Sequence, residues 1–81
     1  HDGSEMDLVL VKGIKPLACI EIKLTHSPSM TKGMTESLKD LKCKHNFIVT
    51  PSADASYPLN KQVIVVGLRE FLARQLVKLV K

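Results

Sequence analysis

The chain has 81 residues, 12 Lys and Arg against 8 Asp and Glu, 44% apolar residues and two cysteines. A chain of this length supports one small core, burying roughly 60–65% of the surface its unfolded form exposes. The apolar run Val63 to Val66 falls far short of the ~20 residues a membrane helix requires, and no charged start with an apolar signal core is present, so membrane and secreted classes are excluded. The net charge of +4 is spread along the chain and permits an anionic partner without demanding one.

Cys19 and Cys43 are too few for a disulfide scaffold and lie in apolar patterns, so the chain reads as cytoplasmic and Cys19 as a small buried hydrophobe. The first residue is His1 rather than methionine, and residues 1–81 are expected to be a single domain forming the C-terminal fragment of something longer.

Met6 to Lys12 has apolar residues at nearly all positions and frequent β-branched ones, which predicts a strand with both faces partly covered. Gly13-Ile14-Lys15-Pro16 then supplies a flexible and a ring-locked residue for a tight reversal. From Leu17 to Leu24 the chain alternates. Ala18, Ile20, Ile22 and Leu24 form the inward set, and Leu17, Cys19, Glu21 and Lys23 the other face.

Ser27-Pro28-Ser29 offers cap hydroxyls and an early-helix proline. Met30, Met34, Leu38 and Leu41 then recur at spacings of four, four and three, which predicts an amphipathic helix that Gly33 weakens near its start. Phe47 to Thr50 and Gln62 to Val66 read as two further strands, separated by a loop containing Pro51, Ser52, Ser56 and Pro58. After Gly67, the positions Leu68, Phe71, Leu72, Leu76, Leu79 and Val80 follow helical spacing.

The order β-β-α-β-β-α fits one α/β layer domain. A helix-length connection between the second and third strands predicts a parallel crossover, with that helix on one sheet face and the polar side of the second strand on the other.

Glu21 and Lys23 are two apart on a strand, so they leave the same face at adjacent pleats. Asp7 joins them on that face if the hairpin loop is odd in length or contains one bulge, and not otherwise. Two carboxylates and an ammonium within a few ångströms suit phosphodiester hydrolysis. Hard oxygen ligands such as Asp7 and Glu21 fit Mg²⁺ or Mn²⁺, and Lys23 would orient a water or balance transition-state charge. The competing reading of Glu21-Ile22-Lys23 is a solvated strand face with a weak ion pair worth ~0–1 kcal/mol. Glu5, Thr25 and Ser27 share the parity of these residues and are secondary candidates. His26 and His45 lack the spacing of zinc ligands.

The run Gly3-Ser4-Glu5-Met6-Asp7-Leu8-Val9-Leu10, followed by Ile20-Glu21-Ile22-Lys23, resembles the Asp…Glu-x-Lys signature of the PD-(D/E)XK nuclease superfamily. More narrowly, the chain resembles the domain of unknown function that follows the ATPase module in predicted prokaryotic AAA-type ATPases. The likeness also takes in Ser27-Pro28-Ser29, Ile48-Val49, Ser56-Tyr57-Pro58-Leu59 and Leu68-Arg69-Glu70-Phe71-Leu72, and so covers most of the chain.

The resemblance implies a restriction-endonuclease-like core with a mixed sheet, Asp7 and Glu21 as metal-binding positions and Lys23 as the catalytic lysine. It further implies DNA as substrate and an ATPase module in the same chain. Members of the superfamily usually carry a helix before the first of these strands, which this sequence begins too late to contain. No P-loop pattern is present, so this segment itself is not expected to hydrolyse ATP.

A second class of function stands beside the nuclease: an inactive docking or dimerisation module of an AAA-type ATPase, working as a homo-oligomer or through an exposed Tyr57-Pro58-Leu59 patch.

Overall fold

A computed structural model describes residues 7–25, 27–51 and 56–81. The strands are β1 (Leu8–Lys12), β2 (Lys15–Ile22), β3 (His45–Thr50), β4 (Tyr57–Pro58) and β5 (Ile64–Gly67). Helix α1 (Lys32–Leu41) joins β2 to β3, and the chain ends in α2 (Leu68–Glu70), a π-helical turn (Phe71–Gln75) and α3 (Leu76–Val80), which run on as one C-terminal helix. The sheet order is β1-β2-β3-β5-β4, with β2, β3 and β5 parallel at its centre and β1 and β4 antiparallel at its edges. It is an α/β fold with a mixed, open five-stranded sheet.

The element order matches the sequence expectation with one addition. Tyr57–Pro58, expected to be loop, forms β4, a two-residue edge strand against β5. Proline is tolerated there because an edge strand leaves one side of its backbone unpaired. Met6, placed in the first strand by its apolarity, lies outside the described residues, as do Glu5 and His26.

The β1–β2 reversal takes two residues, Gly13 and Ile14, with Gly13 at φ 67°. A positive φ in a two-residue loop follows the right-handed twist of the flanking strands, and glycine supplies it without steric cost. Farther from the turn the register slips once. Lys12 faces Lys15 and Val11 faces Pro16, but Leu10 faces Ala18, so Leu17 is an extra residue on β2. This is a β-bulge, and Pro16 sits where the ladder is interrupted.

Helix α1 starts later than its sequence signals suggest. Its cap is Thr31, whose Oγ1 accepts the Met34 N–H at 3.0 Å, rather than Ser27, which is exposed and outside the helix. The helix ends at Lys42, in the left-handed region at φ 53°, with its N–H donating to the Leu38 carbonyl.

Both sheet faces are covered, which corrects the expectation of a helix on one face only. Ala18, Ile20, Phe47, Val49 and Val66 form one apolar layer under the C-terminal helix, anchored by Phe71 with Leu76 and Leu79. Ile48, Val63 and Val65 form the other, under Met34, Leu38 and Met30 of the α1 segment and Leu59 of the β4–β5 turn. Strand β2 is therefore buried on both sides. Cys19 and Glu21 are as inaccessible as Ala18 and Ile20, whereas Ile22 and Leu24, predicted to face inward, are exposed.

Within the C-terminal helix, Leu68, Leu72 and Val80 also depart from the predicted inward set and are exposed. A π-helical turn interrupts this helix, with the Leu76 N–H donating to the Phe71 carbonyl five residues back. The extra residue shifts the phase, so that Phe71 and Leu76 share a face that an unbroken α-helix would separate.

The two cysteines, read from sequence as separate thiols, form a disulfide between β2 and the segment linking α1 to β3, with Cα atoms 6.0 Å apart. That bond removes the premise on which the sequence argued for an intracellular chain. Among the described residues, no helix is long and apolar enough to cross a membrane.

Candidate functional site

The bulge at Leu17 decides where Asp7 stands. The last β1–β2 pair is Leu8 and Ile20, and Asp7 lies one residue before β1; a further step of the antiparallel ladder would put it opposite Glu21, on the face covered by α1. Without the extra residue every β1 side chain would sit on the other face, because side chains alternate with a period of two. The two-residue turn is even in length, so the single bulge alone supplies the parity that the sequence condition requires of β1, and Asp7 itself precedes that strand.

Each of the three charged residues is held differently. Asp7 is exposed, and its Oδ2 accepts the Ile22 N–H at 2.7 Å. The carboxylate thus caps a β2 N–H just beyond the last β1–β2 pair. Glu21 is only 6% exposed, beside Ile48 of β3 in register. Lys23 follows on the same face, and its Nζ lies 2.9 Å from Glu21 Oε2. The contact is ionic: Oε2 is buried and makes no hydrogen bond of acceptable angle. The pair is therefore not the solvated strand face of the competing reading. Burying a carboxylate is costly without a partner, and here the neighbouring ammonium supplies one.

Asp7's two possible roles separate by substitution. Asp7→Ala is expected to lower stability by about 0.5–1 kcal/mol through loss of one exposed hydrogen bond. Asp7→Asn keeps an oxygen acceptor and is expected to leave stability close to wild type while removing the charge a cation would need. Urea denaturation of both variants measures the difference.

The end of β3 adds a residue that sequence reasoning passed over. Thr50 is 0% exposed, and its Oγ1 has no hydrogen-bond partner among the described residues. Its signal in the sequence was a polar residue closing an apolar β-branched run immediately before Pro51. Asn46, lower on the same face, ties the elements below the site together: its Nδ2 donates to the Cys43 and Gln62 carbonyls. Of the secondary candidates, Thr25 and Ser27 are exposed beyond the end of β2, and His45 opens β3 at the opposite end from Thr50.

As donors for Mg²⁺ or Mn²⁺, Asp7 and Glu21 are chemically suitable, since such ions are held by one or two carboxylates and keep several waters. Among the described residues no group of three or more His, Cys, Asp and Glu side chains gathers as a metal cage. An ion at Glu21 would share the carboxylate with Lys23 or displace its ammonium.

Two clefts among the described residues lie elsewhere. One of ≈ 220 Å³ runs between α1 and the β4–β5 turn, by Leu38, Lys39 and Asn60, and one of ≈ 250 Å³ between the hairpin and the end of α3, by Leu10, Leu17 and Leu79. Neither is lined by Asp7, Glu21 or Lys23. Comparison of the chain with protein-family models, curated proteins and solved structures found no match.

Proposed function

We propose that this chain is a nuclease-like domain whose divalent-metal phosphodiesterase site is built on Asp7, Glu21 and Lys23, acting on DNA and serving an ATPase module. The observation that supports the reading is the meeting of the three at the end of the hairpin: Asp7 accepts the Ile22 N–H, between Glu21 and Lys23 in the chain, while Lys23 Nζ lies within ion-pair distance of Glu21. Two strands are needed to assemble the trio, and its members are the residue types that metal-assisted phosphodiester hydrolysis uses. Asp7 and Glu21 would hold Mg²⁺ or Mn²⁺, which supplies Lewis acidity and a more acidic bound water. Lys23, the most solvent-accessible partner of the buried ion pair, would meet the phosphate and offset its charge.

The test is Mn²⁺ titration by calorimetry together with a Mg²⁺- and Mn²⁺-dependent DNA cleavage assay. Wild type is expected to bind and cut. Glu21→Gln is expected to weaken binding at least tenfold and abolish cutting, and Lys23→Ala to abolish cutting while the domain stays folded. Cleavage that survives both substitutions rejects the proposal.

A second reading, an inactive docking or dimerisation module, is favoured by the ion pair that occupies Glu21 with Lys23 and by the exposed Tyr57 and Pro58 on edge strand β4. It differs in predicting no Mn²⁺ binding and a change of oligomeric state or partner affinity on Tyr57→Ala.

A further inference from the structure

Thr50 is a fully buried residue whose hydroxyl nothing in the described protein uses, and its address is specific. The Lys23 N–H donates to the Val49 carbonyl at 2.9 Å, one step beyond the last β2–β3 pair, Ile22 and Val49. In a parallel ladder that bond makes Lys23 and Thr50 lateral neighbours, with Cα atoms ~4.8 Å apart. Thr50 also alternates with Val49 and lies two residues from Ile48, which places its side chain on the α1 face with Glu21.

On its β5 side Thr50 is in register with Gly67, which has no side chain to offer. Pro51 follows and lacks the N–H to carry the β2–β3 ladder further. The position is the carboxyl end of parallel strands, where open α/β sheets receive ligands.

Two buried oxygens, Glu21 Oε2 and Thr50 Oγ1, thus stand on one face at adjacent levels; the first has the Lys23 ammonium at 2.9 Å, whereas the second has no hydrogen-bond donor among the described residues. Native chains rarely retain an atom like Thr50 Oγ1 unless another group satisfies it in some state. The side chain best placed to admit one is Lys23, 32% exposed and attached to Glu21 through a single flexible ion pair.

We infer that Thr50 is a further residue of this site, its hydroxyl accepting a hydrogen bond from a water carried by the divalent cation that Glu21 holds. The inference rests on the metal-site reading above and deepens it. An ion of this kind keeps several waters when bound by one or two carboxylates, so outer donors are available to an uncharged acceptor beside the carboxylate.

The experiment is Mn²⁺ titration of the whole chain by calorimetry, with thermal denaturation of the metal-free protein alongside, for wild type, Thr50→Val, Thr50→Ser and Glu21→Gln. Thr50→Val replaces the hydroxyl by a methyl of similar shape. It is expected to weaken Mn²⁺ binding roughly tenfold, the effect of one net hydrogen bond, while the metal-free midpoint stays level or rises. Thr50→Ser is expected to retain wild-type affinity.

Wild-type affinity in Thr50→Val, with binding lost in Glu21→Gln, overturns the inference and leaves the metal site standing. A clear drop in the metal-free midpoint of Thr50→Val also overturns it, because the hydroxyl then has a structural partner. No Mn²⁺ binding by wild type removes both the site and the inference.

Discussion

Reducing the protein is expected to lower its stability by about 3 kcal/mol. The Cys19–Cys43 bond closes a loop with a sequence separation of 24, and the chain-entropy relation for a loop of that size gives a stabilisation of this order. The loop contains the end of β2, the connection to α1 and all of α1, so the bond limits how far the helix can leave the sheet face it covers. In a domain of this size the loss corresponds to a fall in thermal midpoint of roughly 12–24 °C.

The comparison is denaturation with and without a phosphine reductant, followed by circular dichroism, with a Cys19→Ala/Cys43→Ala double variant as the covalent control. The double variant is expected to match or fall below the reduced wild type, because Cys19 is fully buried and its truncation also removes packing. Equal midpoints with and without reductant would show that the bond does not form.

The second large effect belongs to Phe71. Its ring is 5% exposed and meets Phe47 edge-on, with centroids 5.4 Å apart and an interplanar angle of 68°. This geometry suits the ring quadrupoles. Phe71 is the one fully buried residue of the C-terminal helix within that layer, while Leu76 and Leu79 are only partly covered. The helix is thus fastened to the sheet at one deep point and supported at two shallower ones.

Phe71→Ala is expected to cost about 3–5 kcal/mol, a large share of the stability available to a chain this small. Leu72→Ala, one position along and more than half exposed, is expected to change stability by less than about 1 kcal/mol. Urea titration of the pair measures both. Comparable losses would mean that the phase of the helix differs from the one described.

These expectations show where the sequence was sufficient. The hairpin, the amphipathic α1, the β3 run and the closing helix were all readable, because each rests on local chemistry: a glycine at a reversal, apolar residues at helical spacing, β-branched residues in short runs. The shared face of Glu21 and Lys23 was equally local, since residues two apart on a strand project alike. Met34 and Phe71, at apolar positions of the two amphipathic patterns, lie in the core.

What the sequence left conditional was the face on which Asp7 stands, because it depends on the count of residues between two strands. Leu17, as one unpaired residue, sets that count for β1, whose first residue, Leu8, directly follows Asp7. Other features were decided only by tertiary packing. Glu21 and Cys19 are buried because α1 folds over their side of the sheet, and an alternating strand pattern does not state which helix covers which face. The two cysteines are 24 residues apart and meet only once β2 and the α1–β3 segment are placed side by side. The π-helical turn that brings Leu76 onto the face of Phe71 is not marked in the helical spacing of the sequence.

Local spacing dictates the conformation of a segment through sterics and hydrogen bonding within a few residues. Which surfaces of two segments touch is set by burial across the whole fold, and that is the level at which the environment of Asp7, Glu21, Lys23 and Thr50 is determined.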